Sequence, residues 1–112
     1  MSELMLDALA QIQIRPHQWT SGTTGWLGAG KAILDGVPHQ CAVNVYVVDS
    51  KTGAQTRPDG AVKAIETFLV ENANPTERLW KTGTRGYWAQ ARGMCAGVKV
   101  LADVSLFRIR SK

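Results

Sequence analysis

A chain of 112 residues, 45% hydrophobic and 20% charged, is long enough to bury one modest core without metals or disulfides and too short to stabilise two domains. No apolar run reaches the length of a membrane span, and the acidic opening MSELMLDALAQ lacks the basic flank of a secretory signal, so a cytoplasmic protein without membrane contact is expected. The formal charge of +4 is uneven: residues 1–61 hold four Lys or Arg against five Asp or Glu (−1), and residues 62–112 hold nine against four (+5).

In chain order, SELMLDALAQ reads as a short helix and IQIR as the start of a strand. WTSGTTGW follows, and GWLGAGKAIL then runs as an extended segment to Asp35-Gly36, a strong hairpin signal, before VPHQCAVNVYVV returns. SKTGAQTRPDG is a polar loop. AVKAIETFLVEN places Val62, Ile65, Phe68 and Leu69 at helical spacing, and NANP ends that helix.

The phrase WTSGTTGW is then spelled again as WKTGTRGY. Shifting the chain by 61 residues aligns Trp19–Lys51 with Trp80–Lys112 without a gap, and nine of 33 positions are identical, concentrated in Trp, Gly and Val. Tyr46 answers to Phe107, Lys31 to Arg92, and Gly36 to Gly97 at the hairpin turn. The expected fold class is α+β, an antiparallel sheet from two duplicated β-hairpins with at least one helix between them. The expected organisation is a single domain, 1–112, with repeats at 19–51 and 80–112 and a linker and helix at 52–79.

Alternation puts Cys41, Val43, Val45 and Val47 on one face of the first return strand and Tyr46 on the other; in the second copy, Ala102, Val104 and Leu106 share the apolar face and Phe107 lies opposite. On the leading strands Gly28, Gly30 and Ala32 share a face. They either let a flat ligand approach the backbone or make room for a bulky neighbour.

Several chemical motifs fail on inspection. Gly25–Lys31 matches the start of a phosphate-binding loop, but Ala32 stands where a hydroxyl is needed and no helix follows. His39 and Cys41 share a strand face without further ligands, so no metal site is assigned, and Cys41 and Cys95 read as free thiols. The acids show no paired spacing that survives duplication, so no catalytic residue, cofactor or enzyme activity is expected. The G-T-x-G turns could offer backbone amides to a phosphate beside Lys81 and Arg85.

Aromatic residues interleaved with cations remain. Base stacking and phosphate contact together are how proteins hold single-stranded nucleic acid. The candidate binding residues are Lys31, Tyr46, Lys81, Arg85, Tyr87, Trp88, Arg92, Phe107, Arg108 and Arg110, with Tyr87, Trp88 and Phe107 foremost as stacking residues. Trp19 and Trp80, each just before a G-T-x-G turn, read as lids on the core.

The stretch GTTGWLGAGKAILDGVPHQCAVNVYVV resembles the small single-stranded-DNA-binding proteins of filamentous phages in the order of its features: a Gly-Thr-x-x-Gly turn, an aromatic strand, a Pro-His hairpin and a Cys-bearing apolar strand. That resemblance implies an OB-like barrel that coats single strands cooperatively without catalysis. The expected partner is single-stranded DNA or RNA, with oligomerisation compatible. The alternative is a protein-interaction module, such as a phage-type inhibitor or assembly component, because Trp, Tyr and Arg also dominate protein interfaces.

Overall fold

The computed structural model describes residues 3–109. Helix α1 (Glu3–Gln11) leads into strands β1 (Gln13–Gln18), β2 (Thr24–Leu34) and β3 (Val37–Val47); α2 (Val62–Asn72) then leads into β4 (Thr76–Leu79), β5 (Arg85–Cys95) and β6 (Val98–Arg108). The six strands form one sheet in the order β1-β2-β3-β6-β5-β4, antiparallel at every pairing. The α+β class holds, with two hairpins and a helix between them. Because β1 and β4 are the two edges, the described strands make an open sheet and not the closed barrel that the phage resemblance implies.

Each hairpin turns on two left-handed residues, Asp35 (φ 52°) with Gly36 (φ 75°) and Ala96 (φ 52°) with Gly97 (φ 84°), the geometry whose twist matches the flanking strands. Strand β4 lies inside the 52–79 segment read as linker and helix. All four of its residues are exposed, so it has no buried face and no alternation to read.

The pairing carries the 61-residue shift into three dimensions. Pro16 opposite Trp26 becomes Glu77 opposite Tyr87, and Gly25 opposite Tyr46 becomes Gly86 opposite Phe107. At the β3–β6 junction Val43 faces Val104, its own counterpart, so a pseudo-two-fold axis passes through that pair. The correspondence reaches further than the sequence identity: α1, shifted by 61, falls on residues 64–72 of α2. There only burial is kept, with Ala8, Leu9 and Ile12 answered by Leu69, Val70 and Ala73, all buried.

Both helices pack on the same face of the sheet. Met5 and Leu9 of α1, with Ile65 and Leu69 of α2, close over Trp26, Val43, Val45, Val104 and Leu106. Cys41 and Cys95 are free and buried in this layer, and burial pushes both thiols up. The small residues of the leading strands serve this packing. A Cβ on Gly28 would lie 2.9 Å from Ile14 Cγ1, and one on Gly93 3.2 Å from Phe68 Cε1. Those positions make room for bulky neighbours, so no flat ligand approaches the backbone there.

Candidate nucleic-acid interface

The opposite face of the sheet carries no helix, and strand parity decides what it displays. Leu27, Lys31 and Ile33 of β2 point there, as do Asn44 and Tyr46 of β3, Asp103, Ser105 and Phe107 of β6, and Trp88, Arg92 and Met94 of β5. Met94 and Ile33 are 61% and 55% exposed.

The two G-T-x-G turns bring further rings onto this face. In the first, the Trp19 N–H donates to Thr23 O at 2.9 Å and the Gly22 N–H to Trp19 O at 3.0 Å; Trp80 with Thr84 and Gly83 with Trp80 repeat this, both at 2.9 Å. A positive φ at Gly22 (96°) and Gly83 (87°) makes each turn possible. The amides of Gly22 and Gly83, the first of each G-T-x-G motif, are thus bonded inside the turns and are not offered to a phosphate. What the turns do is aim a tryptophan.

Trp19 packs on Tyr46 with ring centroids 4.7 Å apart and planes tilted by 43°, and Trp80 on Phe107 at 4.6 Å and 50°, one tilted stack in each half. Trp19 and Trp80 are thus half-buried members of the open face and not lids on the core. Both strands bearing these rings need glycine opposite: a Cβ on Gly25 or Gly86 would stand 1.9 Å from Val45 O or Leu106 O. Tyr46 and Phe107 both pair along β3 and β6, with Phe107 opposite Gln40, so the two stacks sit about 20 Å apart along the strands.

The second half adds charge to its stack. The Arg78 guanidinium lies 4.9 Å from the Trp88 ring centroid and 5.5 Å from that of Trp80, a cation–π bridge between two indoles. The first-half counterparts of Arg78 and Trp88 are His17 and Leu27, and there His17 meets Trp19 edge-on at 4.6 Å. Between the stacks, Asp103 pairs across to Asn44 and Gln90. Its Oδ1 is buried without a hydrogen-bond partner among the described residues. Burial and then the charge of Asp103 push the Tyr46 hydroxyl up.

The structure divides the ten residues read from the sequence. Lys31, Tyr46, Trp88, Arg92 and Phe107 come together on the open face. Lys81 is exposed in the turn after Trp80. Arg85 and Tyr87 sit at the alternate positions of β5, and Arg108 at the alternate position of β6, so all three project on the helix side; Tyr87 meets His39 there at 5.9 Å and cannot share a platform with Trp88. Arg110 lies outside the described residues. Sequence reading missed Trp19, Trp80 and Arg78. The first two were marked by their repetition before identical turns, whereas Arg78 lies in the exposed strand β4, which carries no pattern.

No protein-family model matches the chain, and neither a curated protein nor a solved structure matches it.

Proposed function

We propose that the helix-free face binds single-stranded nucleic acid, stacking bases on its rings and meeting phosphates with its cations. The observation that carries this reading is the placement of two Trp-centred stacks and the Arg78–Trp88 pair on one uncovered face with Lys31 and Arg92. Each stacked base contributes about 1–3 kcal/mol, and duplex bases cannot offer their faces to such rings. The unpartnered Asp103 oxygen at the centre would repel phosphate, so bases turn inward there and the backbone follows the flanking cations. DNA and RNA both fit this arrangement. Buried free thiols are in keeping with a reducing, cytoplasmic setting.

The test is a titration of intrinsic tryptophan fluorescence with oligo-dT and a matched duplex, at low and at physiological salt. Saturable quenching by the single strand alone, weakening as salt rises, is expected because counterion release drives phosphate contact. Trp88→Ala should weaken binding several-fold more than Leu27→Ala, since Trp88 carries the cation–π pair with Arg78, and Arg92→Ala more than Lys31→Ala, since the second half carries the positive charge of the chain. Silence with every oligonucleotide at low salt would transfer the face to a protein partner, a reading that its exposed Met94 and Ile33 favour.

A further inference from the structure

Arg85, Tyr87 and Arg108, separated from the open face, meet again on the helix side, beside the turn of the first hairpin. There a cavity of about 500 Å³ is lined by these three, His39, Asp35 and Glu77, among others. His39 is its buried polar group, 3% exposed. Its Nδ1 lies 2.8 Å from Val37 O, and a carbonyl only accepts, so Nδ1 carries the proton. In the neutral ring Nε2 is then a lone-pair acceptor, and no described residue donates to it. Arg85 and Arg108 are exposed, and among the described residues neither guanidinium is held by a carboxylate.

The molecule supplies its own comparison. At the equivalent place in the first half, His39, Arg108 and Tyr87 are replaced by Val100, Val47 and Trp26, each 1% exposed. The linker closes over it: Arg57 Nη1 donates to His17 O at 3.1 Å and Gly25 O at 3.5 Å, the counterparts of Arg78 and Gly86 at the cavity. One backbone frame is therefore filled and capped in one half, and open, lined by two arginines and furnished with a buried acceptor in the other. The fold does not impose the opening.

We infer that this cavity binds a phosphate monoester. The two guanidinia suit its anionic oxygens, and fork-shaped donors bind such groups with high geometric specificity. His39 Nε2 accepts from the hydroxyl of the singly protonated phosphate. A diester linkage has no such hydroxyl, so the site distinguishes a terminal or free monoester from the strand backbone. Arg78 also borders the cavity, but its guanidinium is engaged by the indoles of the other face, so Arg85 and Arg108 against Asp35 and Glu77 leave no net charge, which suits one singly protonated phosphate gripped by two forks and not a polyphosphate chain. The source of the monoester is a free nucleotide or the 5′-phosphate of a strand. Neither depends on the open face.

The test follows the backbone amides of Arg85, Gly86 and Tyr87 by NMR while inorganic phosphate and thymidine 5′-monophosphate are added. In parallel, 5′-phosphorylated and 5′-hydroxyl oligo-dT are compared for affinity. Saturable shifts are expected with both small ligands, weakened roughly tenfold in Arg85→Gln and Arg108→Gln, whose exposed side chains leave folding intact. A preference for the phosphorylated strand, lost in the same variants but kept in Trp88→Ala, assigns the site to strand ends; nucleotide shifts without that preference assign it to free nucleotides. Absence of saturable shifts with either small ligand, or shifts unchanged in both arginine variants, overturns the inference. The open-face reading stands or falls separately, on the 5′-hydroxyl strand.

Discussion

At Asp103 the molecule keeps a group that works against its own stability. The carboxylate sits at the centre of the open face, and its Oδ1 is removed from water without a hydrogen bond. An orphaned acceptor of this kind costs about 1–3 kcal/mol, more where it is charged. Its first-half counterpart across the pseudo-two-fold is Ala42, which shows that the sheet accepts a small apolar residue at this place. Asp103→Ala should therefore raise stability in urea unfolding by about 1 kcal/mol. If Asp103 receives the N–H groups of bases, the same change weakens oligo-dT binding. A variant that is less stable than the parent would show instead that the carboxylate is satisfied in solution.

The elements are held at their ends by two glutamines that imitate a strand. Gln11, at the end of α1, donates from Nε2 to Ile33 O at 2.8 Å and accepts from the Ile33 N–H at 2.7 Å, so its amide pairs with β2 ahead of the first residue of β1. Gln55 does the same for β6, accepting from the Lys99 N–H at 3.0 Å and donating to Val48 O at 2.6 Å. Gln11→Ala should cost about 1 kcal/mol and speed hydrogen exchange at the Ile33 amide while leaving the Val43 amide protected. Equal acceleration at both amides would mean that the contact serves global stability only. No periodicity announces such a side chain. The hairpins were legible because apolar residues alternate on β3 and β6 and because Asp35-Gly36 demands a particular turn. Strand β4 was illegible because it buries nothing. The binding residues were legible as types but not as a surface: Tyr87 and Trp88 are neighbours in sequence, and alternation alone sends them to opposite faces. The rings that complete the open face reach it through turns, whose aim depends on a left-handed glycine and two short hydrogen bonds.

At the scale of the whole molecule the chain is arranged as two halves joined edge to edge, and the axis through Val43 and Val104 makes that junction self-complementary. Residues His39–Val47 of β3 pair with Val100–Arg108 of β6 with no bulge, so the junction is a continuous ladder over a shared apolar layer. The linker is exposed at Asp59 and Gly60, beyond the bonds made by Gln55 and Arg57. Fragments 1–59 and 60–112, mixed in equal amounts, should therefore assemble into a one-to-one complex with the circular dichroism of the intact chain, as measured by sedimentation. The same geometry lets each fragment pair with a copy of itself about the same kind of axis, but not equally well. Two copies of the first half would set His39 opposite Val47, joining groups that are already buried in the intact molecule. Two copies of the second half would set Arg108 opposite Val100 at both ends and carry a charge of +5 or so on each partner. The expected order of association is mixed pair first, first-half pair second, second-half pair last. Fragments that stay apart when mixed would place the cohesion of the molecule in the helix layer, and not in the β3–β6 ladder.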